Sequence, residues 1–99
     1  MAQLINGLVT VSSAGTAVQF SSAPLKVKAI FIYAPSGNSG AVYIGDSAVD
    51  STNTPALNPG EHYEVEFKSE HHDTPGELSD IYADAATSGD TVRYLAVAL

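Results

Sequence analysis

Short stretches in which apolar and polar residues alternate are the feature of this sequence that most constrains its fold. The cleanest is residues 61–68, in which Tyr63, Val65 and Phe67 alternate with polar residues. An alternation with a period of two places the apolar residues on one face of a β-strand, whereas an amphipathic helix requires a period of about 3.6 residues. No stretch of the chain sustains the helical period over the length of a helix, so the pattern predicts an all-β protein.

Clusters of Gly, Pro, Ser and Asn separate these stretches and predict turns between them. Gly7 interrupts the first stretch and predicts a bulge or bend there. The predicted strands are residues 4–11, 16–20, 26–34, 41–45, 61–68, 78–83 and 91–99. About seven or eight short strands favour one antiparallel β-sandwich or jelly-roll-like domain over residues 1–99, because two packed sheets bury each other's apolar faces.

The third predicted strand, residues 26–34, differs from the others because it is apolar on both faces. Phe31 and Tyr33 lie on one face, and Ile30 and Ile32 lie on the other. Such a pattern is typical of a strand at the centre of a sheet. We therefore expect a central strand that is covered on both sides near its end.

The chain is strongly acidic, with 11 acidic and 4 basic residues and a formal net charge of −7. Nucleic-acid phosphates and anionic membranes are bound by clustered Lys and Arg, and the basic residues here are scattered. No apolar run approaches the roughly 20 residues of a membrane-spanning helix. The sequence therefore predicts neither nucleic-acid nor membrane partners. The N-terminus lacks the pattern of a signal peptide, so we expect the product to stay where it is made, or to leave by lysis or a specialised route.

Two polar segments carry candidate metal ligands. Residues 70–73, with the sequence EHHD, place adjacent histidines on opposite sides of an extended segment, where they cannot easily hold one ion together. Asp46, Asp50 and Asn53 lie in a loop that lacks the glycine and glutamate spacing of an EF-hand. Turns and solvated loops explain both segments, so no metal and no cofactor is predicted. A metal site at either segment is the alternative.

Signatures of catalysis are also missing from the sequence. The chain has no cysteine, and its Ser-Gly pairs are typical of turns because no G-x-S-x-G nucleophile motif surrounds them. Nothing marks two of the 11 carboxylates as a catalytic pair. We therefore expect no catalytic residue and no enzymatic activity.

The second half of the chain contains a series of short motifs in a fixed order. They are V-Y-I-G at Val42–Gly45, L-N-P-G-E at 57–61, L-S-D-I-Y-A-D-A at 78–85 and S-G-D at 88–90, followed by an apolar strand. In this order the motifs resemble those of small structural head proteins of tailed bacteriophages. The resemblance covers roughly residues 25–99. Its motifs are turns and core positions, so they bear on the fold more strongly than on the role.

This resemblance implies the role of a capsid decoration protein, also called a cement protein. Such a protein is a β-sandwich that binds the outside of an icosahedral shell, often as a trimer, and braces it against the pressure of the packaged DNA. The implied partners are the major capsid protein and further copies of the chain. The implied location is the capsid surface of the virion, after synthesis in the host cytoplasm. The alternative is a carbohydrate- or receptor-binding module of a phage tail, neck or fibre, which would bind through exposed tyrosines.

The N-terminal segment, residues 1–13, is the candidate anchor on a neighbouring subunit or on the shell. It is more apolar than one face of a sandwich strand needs, and the surplus could pack on another chain. An ordinary core strand is the equally weighted alternative. The candidate interface residues are Leu4, Ile5, Leu8, Val9 and Val11.

Overall fold

A computed structural model describes residues 3–67 and 76–98 of the chain. Eight β-strands and one short 3-10 turn, Leu78–Asp80, form the regular structure of these residues. In chain order the strands are β1 (Gln3–Thr10), β2 (Val18–Gln19), β3 (Lys26–Tyr33), β4 (Val42–Gly45), β5 (His62–Glu66), β6 (Gly76–Glu77), β7 (Tyr82–Ala85) and β8 (Thr91–Ala98).

The strands form two antiparallel sheets. The large sheet has the order β1-β8-β3-β5, and β6 pairs with β3 beyond the end of β5. The small sheet has the order β2-β7-β4. The inner faces of the two sheets share one hydrophobic core, which confirms the all-β sandwich and the strand count predicted from the sequence.

The core lies between the sheets and consists mainly of β-branched side chains. From the large sheet, Ile30, Ile32 and Val92 point inward and are at most 2% exposed. Val42 and Ala83 meet them from the small sheet and are fully buried. Burying a side chain of the size of Ile or Val stabilises the fold by roughly 1.5–3 kcal/mol, so the inner face of the large sheet is the main stabilising surface.

One motif of the resemblance, S-G-D at 88–90, lies at one end of the large sheet. The Asp90 carboxylate, which is 6% exposed, accepts hydrogen bonds from the backbone N–H groups of Ser39 at 3.0 Å and Gly40 at 2.9 Å. The Asn38 side chain bonds the backbone N–H and C=O of Thr91. These hydrogen bonds of Asp90 and Asn38 therefore connect the turn after β3 to the start of β8.

The small sheet is covered on its outer face by the loop that follows β1. Asp84 points outward from β7, yet it is 3% exposed, because its Oδ1 accepts a hydrogen bond of 2.9 Å from the backbone N–H of Gly15. Gly15 has a φ of +89°, a conformation that glycine adopts without strain. Tyr43, opposite Asp84 on β4, is also buried.

Gly7 forms no bulge, so the prediction of an irregularity there is wrong. The pairing of β1 with β8 keeps one register from Gln3 to Thr10. Glycine is required at this position because the Tyr94 ring lies against it, and a Cβ atom on Gly7 would lie 2.6 Å from the Tyr94 hydroxyl. A bulge does occur on β3, where a register shift between Val27 and Ala29 turns Val27 into the core.

Two other sequence expectations need correction. The strand predicted over residues 78–83 begins at Tyr82, because Leu78–Asp80 forms the 3-10 turn with Leu78 fully buried. The strand predicted over residues 26–34 is central in its sheet, between β8 and β5, but residues 3–67 and 76–98 cover only its inner face. Phe31 and Tyr33, on its outer face, are only partly buried.

Candidate functional site

The outer face of the large sheet is the surface that points away from the small sheet. Side chains alternate between the two faces of a strand, so every second residue of each strand belongs to it. The outer face is formed by Leu4, Asn6, Leu8 and Thr10 of β1, Thr91, Arg93, Leu95 and Val97 of β8, Ala29, Phe31 and Tyr33 of β3, and His62, Glu64 and Glu66 of β5.

The strand registers arrange these side chains in rows across the sheet. Residues in register on neighbouring antiparallel strands have Cβ atoms about 5 Å apart, so each row is a line of neighbouring side chains. The three complete rows are Leu4–Val97–Ala29–Glu66, Asn6–Leu95–Phe31–Glu64 and Leu8–Arg93–Tyr33–His62.

Three leucines of the outer face are exposed to solvent. Leu4 is 65% exposed, Leu8 59% and Leu95 42%. An antiparallel sheet with one solvated face normally carries polar side chains on that face. Apolar side chains that lie together on the surface of a small domain mark a contact site for another molecule. These leucines make the outer face a candidate contact surface among the described residues.

A shallow depression of about 270 Å³ lies in the middle of this face. Phe31, Leu95 and Val97 line it together with Glu64 of the neighbouring strand. The Phe31 ring stacks on His62 with 5.0 Å between the ring centres and 29° between the planes. This stacking fixes one wall of the depression, which has the size and the lining to accept an apolar side chain of a partner.

Charge is distributed unevenly over the outer face. Glu64 and Glu66 lie on β5, at one side, whereas β1 at the other side carries no charged residue. Arg93 lies in the row of Leu8, between the apolar and the acidic parts. The face thus runs from an uncharged apolar edge to an acidic edge.

The candidate anchor residues divide between the two faces of β1 and its continuation. Leu4 and Leu8 lie on the outer face, where they are exposed. Ile5, Val9 and Val11 turn toward the core, and Val9 and Val11 are 4% and 0% exposed. The core-strand alternative therefore holds for Ile5, Val9 and Val11, whereas Leu4 and Leu8 stay the candidate anchor residues.

Leu95 and Phe31 were not predicted from the sequence as residues of the outer face. The signal was present in β8, where the alternation T-V-R-Y-L-A-V-A places Arg93 and Leu95 on the same face. An arginine on a face favours solvent exposure of that face, which includes Leu95 two residues later. Phe31 follows from Leu95, but only once the register that pairs them is known.

The five tyrosines all lie in strands, as the sequence predicted. Tyr43 is buried, and the other four are partly buried rather than exposed. Of these, Tyr33 belongs to the outer face. Tyr63 faces inward beside the core, and burial raises the pKa of its hydroxyl to about 12.

The acidic loop after β4 is held by turns within the loop. Asp46 accepts a hydrogen bond from the backbone N–H of Ala48, and Asn53 accepts one from that of Asp50. The hydroxyl and the backbone N–H of Thr52 both donate to Asp50 and hold the pKa of its carboxyl below the usual value. These bonds support the interpretation that turn formation explains the Asp and Asn residues of this loop.

The other candidate ligand set, residues 70–73, lies outside the described residues. Across residues 3–67 and 76–98, no three His, Cys, Asp or Glu side chains are grouped so as to hold a metal ion. The same two ranges contain no helix with the length and apolar character that a membrane crossing requires.

A second concave surface opens between the sheets on the side of β5 and β4. This cleft has a volume of about 440 Å³. Its walls are largely apolar, with Ile44, Val65 and Ile81 among them, and Glu77 and Asp80 are its two carboxylates. The cleft borders residues 67 and 76, and residues 68–75 lie outside the described ranges. The outer face of the large sheet is therefore the better-defined candidate site.

Comparisons with known proteins give no family for this chain. No protein-family model matches it, and a search of curated proteins gives no match.

Proposed function

We propose that this chain is a structural protein-binding domain that docks on another protein through the outer face of its large sheet. The observation that carries the proposal is the exposure of Leu4, Leu8 and Leu95 on a single face. Burial of the remaining surface of each leucine would contribute on the order of 1 kcal/mol to binding. Repeated contacts on a lattice would multiply this modest affinity.

The contrast with the small sheet supports the same proposal. The outer face of the small sheet carries Asp84 and Tyr43, both of which are buried, and the backbone N–H of Gly15 in the loop after β1 bonds Asp84. The outer face of the large sheet carries leucines, and no described segment covers it. The chain therefore buries the outward side chains Asp84 and Tyr43 of the small sheet and leaves the leucines of the large sheet exposed. Exposed leucines of this kind are suited to contact with a partner.

The partner that we propose is the major capsid protein of a tailed bacteriophage. Support for this step comes from the motifs at Val42–Gly45, 57–61, 78–85 and 88–90, which resemble those of head proteins. In this proposal the domain decorates the outside of the assembled shell as an oligomer and braces it. It uses neither a catalytic residue nor a cofactor in that role.

A carbohydrate- or receptor-binding module of a tail, neck or fibre is the second candidate function. The aromatic side chains of the outer face favour it, because Phe31, His62 and Tyr33 lie in adjacent rows and could stack on sugar rings. Glycan binding that is lost in Phe31→Ala, together with no binding to capsid shells, would favour this candidate over decoration.

Binding to empty shells tests the decoration role. The shells would be assembled from the major capsid protein of the phage that encodes this chain, and bound protein would be measured by cosedimentation. We expect the unmodified chain to bind and Leu95→Glu to bind at least about tenfold more weakly, because a carboxylate would be buried in the contact.

Leu25→Glu is the matched control for this assay. Leu25 is 40% exposed, close to the 42% of Leu95, but it lies in the loop before β3 and not on the outer face. We expect this variant to bind like the unmodified chain. Failure of the unmodified chain to bind, or equal binding by Leu95→Glu, would contradict the proposal.

A further inference from the structure

The edge strand β1 presents a free row of backbone hydrogen-bonding groups. Val11, which continues β1, donates its N–H to Asp90 and accepts from the N–H of Gly89, so its backbone groups point toward β8. Backbone groups of successive strand residues point to opposite sides, and the register of β1 on β8 has no shift. Leu4, Asn6, Leu8 and Thr10 therefore point their N–H and C=O groups away from β8. Among the described residues, β1 has no strand partner on that side.

The side chains of these residues form a palindrome. Along the free edge the outward side chains read Leu4, Asn6 and Leu8, with Asn6 at the centre. An antiparallel pair of identical strands related by a two-fold axis at Asn6 places Leu4 of each copy opposite Leu8 of the other. Asn6 then faces Asn6, where two amide side chains can hydrogen-bond each other. The residues whose backbone groups are free on this edge therefore also carry the side chains that pair with those of a second, identical strand.

The inward side chains of β1 are compatible with this register. Ile5 of one copy would lie opposite Gly7 of the other, which has no side chain to oppose it. The Tyr94 ring packs directly on Gly7 and provides an apolar surface beside it. The other inward pair in this register is Gln3 of each copy opposite Val9 of the other, at the two ends of the contact.

Electrostatics favours this edge for contact between two copies that each carry a charge of −7. β1 has no charged residue, whereas the acidic Glu64 and Glu66 lie on β5 at the opposite side of the sheet. Pairing through β1 would create the order β5-β3-β8-β1-β1-β8-β3-β5. The two β5 strands would be seven strand spacings apart, roughly 34 Å, which is several times the screening length of about 8 Å in physiological salt.

We propose that two copies of this chain associate by antiparallel pairing of their β1 edges about a two-fold axis at Asn6. Leu4, Asn6 and Leu8 of each copy form three facing pairs that exchange backbone hydrogen bonds in both directions. The two outer faces join into one continuous apolar surface. The pairing does not depend on the capsid role, and it closes at two copies because an isologous contact uses the same edge of both.

A dimer of this kind differs from the trimer that the resemblance to decoration proteins implies. A trimer built through β1 would need a second, different surface to receive the edge of the neighbouring copy. The palindrome at Asn6 is a property that only self-pairing uses. The number of chains in solution therefore distinguishes the two assemblies.

Cross-linking through an introduced cysteine tests the axis directly, because the chain has no cysteine of its own. In Asn6→Cys the two thiols face each other across the axis, with Cα atoms about 5.5 Å apart, a distance that a disulfide spans. We expect mild oxidation to convert most of this variant into a covalent dimer. Thr10→Cys is the control on the same edge and face, and its two copies would lie about 27 Å apart and stay uncross-linked.

Charge exchange at the axis gives an independent measurement. Light scattering at tens of micromolar should give the unmodified chain twice its 10.3 kDa mass. Asn6→Lys and Asn6→Asp should each be monomeric, since each would place like charges opposite one another. An equimolar mixture of the two should recover the dimer mass. A monomeric or trimeric mass for the unmodified chain, equal cross-linking in both cysteine variants, or dimers in both charge variants would overturn the proposal.

Discussion

The two faces of the large sheet are built from the same strands and both carry large apolar side chains, yet one is core and the other is surface. Ile30, on the inner face, is 2% exposed, whereas Leu95, on the outer face of the neighbouring strand, is 42% exposed. The difference lies in what covers each face, since the small sheet packs only on the inner one. An apolar side chain therefore indicates a buried position only where the architecture supplies a cover. Where the described residues supply none, as on the outer face, it indicates a binding surface.

The largest effect on stability should come from the inner face. Ile30→Ala removes a side chain that is 2% exposed between the two sheets, so it loses apolar burial and leaves a cavity. We expect a loss of about 3 kcal/mol in the free energy of unfolding, measured by urea denaturation. Ile30→Val should cost only about 1 kcal/mol. A loss below 1 kcal/mol for Ile30→Ala would show that the inner face does not hold the sandwich together as described.

Loss of the hydrogen bonds that the Asp90 carboxylate accepts at the end of the same sheet should have the second-largest effect on stability. Asp90→Ala leaves the N–H groups of Ser39 and Gly40 without their acceptor in a largely buried place. We expect a loss of about 2 kcal/mol in the free energy of unfolding. Asp90→Asn keeps one acceptor oxygen and should lose less. Equal stability of Asp90→Ala and the unmodified chain would mean that this turn contributes little to the fold.

How far the sequence predicts this molecule can be argued from particular strands. The alternation over residues 61–68 assigned the faces of β5 correctly, because Tyr63 and Val65 turn toward the core and Glu64 is exposed. Alternation is a local property, so one strand is enough to read it. It failed at Gly7, where the need for glycine comes from the Tyr94 ring on another strand.

The candidate site was harder to predict because it is a property of several strands together. Leu4 and Leu8 were recognised as surplus apolar residues of β1, but nothing local separated them from Ile5 and Val9. The small sheet packs on the face that carries Ile5 and Val9. This packing is what assigns Leu4 and Leu8 to the opposite, outer face. The continuity of Leu4 with Val97 in one row depends on the register of strands more than 80 residues apart along the chain. A single sequence does not contain that register.

A pH-dependent effect should come from Tyr63 at the margin of the inner face. Burial raises the pKa of its hydroxyl from 10.0 to about 12, because the charged phenolate is less well solvated in the fold. The folded state thus keeps a proton that the unfolded state releases. Its contribution is complete below pH 10 and is lost as the pH rises from 10 to about 12.

Because Tyr63 is only partly buried, we expect this loss to be about 1 kcal/mol. Denaturation at pH 9 and at pH 11.5, compared between the unmodified chain and Tyr63→Phe, measures it. The variant should lose less stability over this range. An identical pH dependence of the two proteins would show that the Tyr63 hydroxyl is fully solvated.

The smallest effect on stability should come from the outer face, and it separates the two faces most sharply. Leu8 is 59% exposed, and it neither fills the core nor contacts the small sheet in the way that Ile30 does. Leu8→Thr keeps a side chain that suits a β-strand and removes much of the exposed apolar surface. We expect a change of no more than about 0.5 kcal/mol in the free energy of unfolding, as for surface substitutions in general. The same variant should bind capsid shells more weakly, which cosedimentation measures. A loss above 1 kcal/mol would mean that the outer face serves the fold rather than a partner, because a leucine that stabilises the isolated domain by that much needs no other chain to explain its presence.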